Sequence, residues 1–188
     1  MNSVSLDDLS SLDLFILYTL NKSESGIPSE THYQKIMFQA VKILGKNPED
    51  FGYAPHTHGP YSHMMSEEKN SLLMLGYLND DNGSIIINTF EMEMISKIDP
   101  SVFNASFKLE LMVEKLCSFT SDELLLMTYC DDLAETNGMF IENSSVKEHI
   151  LRERIPIAVG MYKSKKVSLC RAAELAGLSV RQFETEVF

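Results

Sequence analysis

Three histidines in the segment HTHGPYSH have the residue type and spacing of a metal site. His56 and His58 would point the same way from an extended segment, and His63 would reach the same point from the start of a following helix. No carboxylate or cysteine at a fixed spacing completes the set, and Gly59-Pro60 already accounts for the segment as a turn. We therefore predict no metal, no cofactor and a structural role for this segment.

Other catalytic chemistry has no support in the sequence. There is no phosphate-binding loop, no GxSxG motif and no carboxylate pair with a defined partner. Cys117, Cys130 and Cys170 lack CxxC spacing and lie in apolar helical patterns. This placement predicts buried free thiols rather than disulfides, zinc ligands or nucleophiles. We expect no enzymatic activity.

The last 22 residues, 167–188, have the spacing of two short helices joined by a tight turn. Ser168 would cap the first helix, whose inner face carries small alanines, and Gly177 would end it. Ser179 would cap the second helix, with Phe183 turned inward. This arrangement is that of a helix-turn-helix, which makes double-stranded DNA the first partner to consider. The simpler alternative is an ordinary helical hairpin in an all-α domain.

Charge separates this tail from the rest of the chain. Residues 145–188 hold all four arginines, with eight Lys+Arg against five Asp+Glu, whereas residues 1–144 hold eight lysines against 22 acids. Arginine suits bidentate contacts to guanine edges and phosphates, so its confinement to the tail favours DNA contact there. The predicted DNA-binding residues are Lys163, Lys165, Lys166, Arg171, Ser179, Arg181 and Gln182.

The acidic residues support a second interpretation. Glu184 and Glu186 follow in the proposed DNA-reading helix, and acidic groups repel phosphate. The acidic N-terminal part would instead receive a basic partner protein. In this alternative the chain is a protein-interaction module that binds a partner without direct DNA reading, and its helix-turn-helix only dimerises or docks.

The N-terminal part is predicted to form three amphipathic helices and a hairpin. The first helix would be capped by Ser5 or Asp7, and the third would begin at His63. A turn rich in Asn, Asp and Gly then separates Leu78 from the isoleucines at 85–87, which predicts a β-hairpin. Three helices followed by a hairpin is a winged-helix order, and a generic small α+β domain is the alternative.

These patterns predict a mainly α fold with a small β-hairpin wing. A winged-helix-like domain with additional helices would span 1–133, a linker containing Asn-Gly would span 134–144, and a helical helix-turn-helix domain would span 145–188. Pro156 is expected to kink a long helix in that last domain or to mark a new start.

Location and assembly follow from the same sequence. No apolar run approaches the length that spans a membrane, and the N-terminus has acids where a signal peptide needs basic residues, so we expect a cytoplasmic protein. One helix-turn-helix reads too few base pairs for useful specificity, so we expect a homodimer. The apolar residues predicted for its interface are Ile150, Leu151, Ile155, Ile157 and Met161.

The tail also resembles a known family. Residues 150–188, with YKSKKVSLCRAAELAGLSVRQF, resemble a small prokaryotic family of uncharacterised helix-turn-helix proteins that are often regarded as antitoxin-like. The family typically has a small residue where Cys170 stands. This resemblance implies a DNA-binding transcriptional regulator or antitoxin-like protein, with a toxin-like protein as a further partner.

A second resemblance covers residues 32–78. The stretches YQKIMF, YAPHTHGPYS and LLMLGYL are similar to a winged-helix family found beside phage and toxin-antitoxin genes. The residues that fit its recurring marks are Gln34, Lys35, Gly59, Pro60, Tyr61, Ser62 and Gly76. Together the two resemblances cover less than half of the chain, and neither family brings a catalytic activity with it.

Overall fold

The computed structural model of the chain describes residues 6–23, 26–103, 107–135 and 144–188. The described residues are mainly helical, with two small pairs of strands, which confirms the predicted helix-rich fold with a small hairpin. They form two compact units. The first unit contains the described residues up to Tyr53 and from Tyr61 to Ser118, and the second contains Ala54–Pro60 and the described residues from Phe119 to Phe188.

Helices dominate both units. Within the described ranges, five helices precede residue 118, namely α1 (Ser11–Leu20), α2 (Glu30–Ile43), α3 (His63–Met74), α4 (Met92–Ile95) and α5 (Phe107–Cys117). Four helices follow, namely α6 (Ser121–Glu135), α7 (Ser145–Lys163), α8 (Leu169–Ala176) and α9 (Val180–Val187). The strands are β1 (Tyr53–Ala54), β2 (Tyr61–Ser62), β3 (Leu78–Asp81) and β4 (Ser84–Ile87). Single 3₁₀ turns lie at Leu6–Asp8, Pro48–Phe51 and Pro100–Phe103.

The first helix starts later than the sequence predicted. Ser10, rather than Ser5 or Asp7, caps α1, because its Oγ accepts a hydrogen bond from the N–H of Asp13 at 3.0 Å. The carboxylate of Asp13 accepts the Ser10 N–H at 2.9 Å in return, which completes a capping box. Ser5 lies outside the described residues. The apolar residues of α1 and α2 that are buried include Ile16, Leu17, Ile36, Met37 and Val41.

The predicted hairpin is confirmed. Leu78 pairs with Ile87 and Asp81 pairs with Ser84, so the loop is the dipeptide Asn82-Gly83. Both loop residues have positive φ, 53° and 88°, as a two-residue type I′ turn requires. A further bridge joins Ile27, between α1 and α2, to Ile85 of β4 through two hydrogen bonds of 2.8 Å. The connection between the first two helices therefore adds a short third strand to the hairpin.

A buried glutamine fixes the start of α3. The side-chain oxygen of Gln34 accepts the N–H of Ser62 at 3.0 Å, and its Nε2 donates to the Ser62 carbonyl at 3.0 Å. The same nitrogen donates to Ser66 Oγ at 2.8 Å. Because Gln34 is 1% exposed, these bonds satisfy backbone groups that water does not reach. Two residues that carry the winged-helix resemblance, Gln34 and Ser62, thus have a structural role.

The division of the chain differs from the predicted domains. α6 was placed in the first domain, but it packs along α7 and belongs to the second unit. Its Glu123 forms an ion pair with Lys166 at 2.6 Å, which ties the start of α6 to the segment before α8. The predicted linker lies largely outside the described residues, but Ser144 caps α7 and donates to the Thr57 carbonyl at 2.5 Å. That bond holds the connector Ala54–Pro60 within the second unit.

The long helix α7 is continuous through Pro156, so no new helix starts there. Two of the residues predicted for a dimer interface, Ile150 and Met161, are buried and are therefore not available to a second copy. Leu151, Ile155 and Ile157 on the same helix are half-buried. Among the residues that the structure describes, α7 is the longest helix, and neither it nor any other is apolar and long enough to cross a membrane.

Candidate nucleic-acid interface

The residues that were expected to bind DNA lie around α8 and α9, which are joined by a three-residue turn. Ser168 caps α8 and Ser179 caps α9, as predicted. Gly177 ends α8 in the left-handed conformation with a φ of 68°, also as predicted. Gln182 accepts the Ser179 N–H at 3.0 Å and donates its own N–H to Ser179 Oγ at 3.3 Å. The turn between the helices is therefore fixed by local hydrogen bonds at both ends.

The inner faces of the two helices are apolar and closely packed. Ala172, Ala173 and Ala176 of α8 are buried, which lets other helices approach its backbone. Phe183 of α9 is fully buried, and its ring meets Tyr162 of α7 edge to face at 6.2 Å between centroids. This contact brings the end of α7 beside α9 and leaves the start of α9 exposed to solvent.

An arginine that the sequence patterns did not single out holds the turn in place. Arg154 on α7 donates from Nε to the Leu175 carbonyl at 3.1 Å. Its guanidinium also lies against Gly177, where an added Cβ would come 1.9 Å from Nη2. The only sequence signal was its membership of the arginine-rich tail, because the partner is a backbone carbonyl 21 residues away.

The exposed cations of the predicted set are Lys163, Lys165 and Arg181. Lys163 is the last residue of α7, and Lys165 follows in the left-handed conformation with a φ of 60°. Arg181 lies in the first turn of α9. The Tyr162–Phe183 ring contact draws these two segments together, since Tyr162 adjoins Lys163 and Phe183 lies within one turn of Arg181.

The other two cations of the set already have intramolecular partners. Lys166 pairs with Glu123, and its Nζ lies 5.6 Å from the centroid of the Phe119 ring. Arg171 pairs with Glu174 on its own helix at 2.8 Å. Contact of Lys166 with phosphate would require a largely buried ion pair to break, so this part of the prediction is not supported by the geometry. The Arg171 pair is more exposed and easier to exchange.

Charge along α9 changes sign. Its first turn carries Arg181 and the positive end of the helix dipole, whereas Glu184 and Glu186 are exposed near its C-terminal end. Backbone N–H groups and a cation at a helix start favour an anion, and carboxylates at the other end repel one. The arrangement therefore favours an approach of phosphate to the start of α9 only.

Residues 56–60 of the histidine segment form a turn in the second unit, whereas His63 begins α3 in the first unit. The Gly59 N–H donates to the His56 carbonyl at 3.0 Å, and the rings of His56 and His58 are stacked with centroids 6.4 Å apart. Both side chains are exposed. Within the described ranges, no three His, Cys, Asp or Glu side chains are grouped as metal ligands. That no metal binds remains a prediction for metal analysis to test.

The three cysteines, all within the described ranges, are not joined in disulfides, and they are not all buried. Cys170 is exposed, because it lies on the face of α8 opposite the packed alanines, and this corrects the expectation of a buried thiol. Cys117 and Cys130 are half-buried. Burial raises the pKa of the Cys117 thiol, and a hydrogen bond with Ser23 opposes the rise. A raised pKa lowers the thiolate fraction, so Cys117 is a poor nucleophile at neutral pH.

Comparisons of the chain with protein-family models, with curated proteins and with solved structures found no match. The resemblances of residues 32–78 and 150–188 to known families therefore rest on the motifs alone. What the structure defines is a mainly helical protein of two compact units, with a two-helix turn in the second unit and a hairpin in the first.

Proposed function

We propose that the second unit binds double-stranded DNA through the start of α9, and that the protein is a cytoplasmic transcriptional regulator or antitoxin-like protein. The observation that carries the proposal is the α8–α9 pair, two capped eight-residue helices joined at Gly177 and anchored on α7 by Phe183. This pair supports a helix-turn-helix, a motif in which the N-terminal residues of the second helix contact base edges.

The exposed cations supply the affinity in this proposal. Lys163 and Lys165 contact phosphates, and Arg181 enters the major groove, where arginine recognises guanine through two hydrogen bonds. Ser179 and Gln182 fix the backbone at the start of α9, because the Ser179 hydroxyl donates a hydrogen bond to the side-chain oxygen of Gln182. Lys166 keeps its ion pair with Glu123, so it holds α6 in place and does not contact DNA.

A gel-shift comparison of variants tests this assignment. We expect the double variant Lys165→Ala/Arg181→Ala to bind a duplex at low salt at least about tenfold more weakly than the unmodified chain, since two charge-assisted contacts are lost. The matched control is Arg152→Ala, which removes an exposed arginine on α7 that pairs with Glu153. Equal affinity of all three proteins for duplex DNA would contradict the assignment.

The first unit has the element order of a winged helix, and we propose that arrangement for it. α1 is followed by the Ile27 bridge, then α2, α3 and the hairpin β3–β4. α3 would then occupy the place of a DNA-reading helix, but it carries Glu67 and Glu68, and the hairpin carries Asp80 and Asp81. These acids repel phosphate, so the first unit does not read DNA in this proposal.

A second candidate function is a protein-interaction module that does not read DNA. The ion pairs of Lys166 and Arg171 favour it, together with Glu184 and Glu186 on α9, because they reduce the charge available to phosphate. A toxin-like protein would then be the partner. The gel-shift comparison separates the two functions, since only the first predicts a duplex complex that depends on Arg181.

Both candidates are non-enzymatic. The first unit contains a cavity of about 220 Å³, but no histidine, cysteine or carboxylate is among its described lining residues, which are Ser11, Leu12, Phe15, Leu44, Lys46, Phe51, Val102 and Phe103. General acid-base or nucleophilic catalysis needs a titratable or nucleophilic group close to a substrate, and among these described lining residues only Lys46 and Ser11 have such groups.

We also propose that the protein acts as a homodimer, so that two copies of α9 read two half-sites. The half-buried apolar residues Leu151, Ile155 and Ile157 remain available for the interface. A mass measurement in solution at micromolar concentration tests this point, and a strictly monomeric mass would contradict it.

A further inference from the structure

The first unit exposes large apolar side chains at two neighbouring places. Met74 and Leu75, at the end of α3, are 89% and 49% exposed, and Phe90 and Met92, after the hairpin, are 90% and 48% exposed. We call these four residues the apolar face. Met74 and Phe90 are each about nine-tenths exposed, so they leave apolar surface in water that a partner would bury.

One side chain holds the two halves of the apolar face together. The amide nitrogen of Asn88 donates to the Gly76 carbonyl at 2.7 Å, and its amide oxygen accepts the Phe90 N–H at 3.1 Å. The Asn88 N–H also donates to the Tyr77 carbonyl at 2.9 Å. The backbone of Phe90 and the backbone of Gly76, which follows Leu75, are therefore hydrogen-bonded to opposite ends of the Asn88 side-chain amide. The exposed Phe90 is anchored beside the end of α3 rather than placed on an unattached loop.

The stretch of chain that carries the apolar face is acidic. Residues 63–96 contain one lysine, Lys69, which forms an ion pair with Glu30 of α2. The same stretch contains six acids, Glu67, Glu68, Asp80, Asp81, Glu91 and Glu93. Glu93 pairs with Lys97, and that pair is exposed and weak. Acidic side chains therefore outnumber basic ones in the stretch that carries the apolar face, and Glu91 and Glu93 are the direct neighbours of Met92.

We propose that the apolar face is a docking site for a basic amphipathic segment of a partner protein. Charge complementarity selects this occupant: lysines and arginines would meet the surrounding carboxylates while apolar side chains cover Phe90 and Met74. Nucleic acid and anionic membrane are repelled by the same carboxylates. A second copy joined by a two-fold axis would place this acidic surface against itself, which like charges oppose. The proposal assigns a partner to the first unit and does not depend on DNA binding by the second.

The test uses the full chain and a synthetic 18-residue helical peptide of leucine and lysine, labelled for fluorescence anisotropy. We expect Met74→Ser/Phe90→Ser to weaken binding of this peptide at least about tenfold, because burial of two large apolar side chains is lost. The matched control is Val102→Ser/Leu111→Ser, which removes two apolar side chains that are 55% and 51% exposed elsewhere in the first unit. We expect the control to bind within about twofold of the unmodified chain.

Three results would overturn the proposal: no binding of the peptide, an equal loss in the control variant, or equal binding of a leucine and glutamate peptide of the same length. Self-association that Met74→Ser/Phe90→Ser abolishes would instead identify a second copy as the occupant and would also overturn it. Gel shifts with Met74→Ser/Phe90→Ser separate failure of the docking proposal from failure of the proposed DNA binding, because this variant leaves α9 unchanged.

Discussion

Arg154 on α7 and Leu175 on α8 are joined by a hydrogen bond of 3.1 Å from the arginine Nε to the leucine carbonyl. The carbonyl lies in the last turn of α8, where intrahelical partners run out. Cys130 Sγ donates to the same oxygen from α6 at 3.7 Å. The corner between α8 and α9 is thus fixed by two neighbouring helices as well as by its own caps. The direction of α9, on which the proposed DNA contact depends, follows from this bonding.

Gly177→Ala is expected to destabilise the second unit by about 2 kcal/mol, since alanine is strained at a left-handed φ and its Cβ would displace the Arg154 guanidinium. Thermal unfolding measures the loss. The matched control is Gly160→Ala on α7, where an added Cβ meets nothing within 4 Å. There we expect a gain of up to about 1 kcal/mol, because alanine is the better helix former. Similar effects of the two substitutions would contradict the role of the turn.

The ion pair between Glu123 and Lys166 is expected to stabilise the second unit. Both side chains are largely buried, at 11% and 22% exposure, so Glu123→Ala leaves a poorly solvated ammonium and also removes the bond from the Thr120 N–H. We expect a loss of about 2 kcal/mol in chemical denaturation. Glu174→Ala, which breaks the exposed pair with Arg171, is the control and should cost at most about 0.5 kcal/mol.

The parts of the fold that the sequence predicts are those decided by residues close together along the chain. Ser168, Gly177, Ser179 and a hairpin turn in the Asn-, Asp- and Gly-rich stretch after Leu78 were identified correctly because a cap or a tight turn is decided within four residues. The membership of α6 in the second unit was not identified. It depends on packing against α7 and on the distant Lys166, and neither leaves a local signal.

The candidate site shows the same limit. The sequence selected Lys163, Lys165 and Arg181, which are exposed, by residue type and position. It also selected Lys166, whose acidic partner lies 43 residues away on another helix. Arg154 was missed for a related reason, since its partner is a backbone carbonyl and carries no side-chain signal. Residue type indicates what a side chain is able to bind, whereas the fold decides which partner it already has.

Buried Lys35 predicts a pH dependence of stability. Burial lowers the pKa of its ammonium to about 7, from an unfolded value near 10.5. Between these values the unfolded chain binds a proton that the folded chain does not, so this lysine makes stability rise with pH from about 7 to about 10. The slope is at most about 1.4 kcal/mol per pH unit. Urea denaturation at about pH 6.5, about pH 8 and about pH 9.5 measures it.

Lys35→Met isolates this contribution, because other titrating groups are shared with the unmodified chain. We expect the variant to be the more stable protein at about pH 7. The difference in unfolding free energy between the two proteins should then shrink as the pH rises, by at most about 1.4 kcal/mol per pH unit. A difference between the two proteins that stays constant with pH would contradict a depressed pKa for Lys35.

Gln34→Ala is expected to destabilise the first unit by about 3 kcal/mol. The substitution leaves the Ser62 N–H without its 3.0 Å partner in a buried position and removes the bond to Ser66. Asn70→Ala on the exposed face of α3 is the control and should change stability by at most about 0.5 kcal/mol. Equal unfolding midpoints for Gln34→Ala and the unmodified chain would show that the buried amide does not fix the start of α3.

The salt dependence of duplex binding tests the central claim most directly. If Lys163 and Lys165 contact phosphates while Arg181 contacts a base edge, the plot of log affinity against log salt concentration has a slope of about −1.8, at roughly −0.9 for each phosphate contact. Fluorescence anisotropy of a labelled duplex over a salt series gives this slope. Lys165→Ala/Arg181→Ala should reduce it to about −0.9. A duplex that fails to bind at low salt, or a slope that this double variant leaves unchanged, would contradict DNA binding at the start of α9.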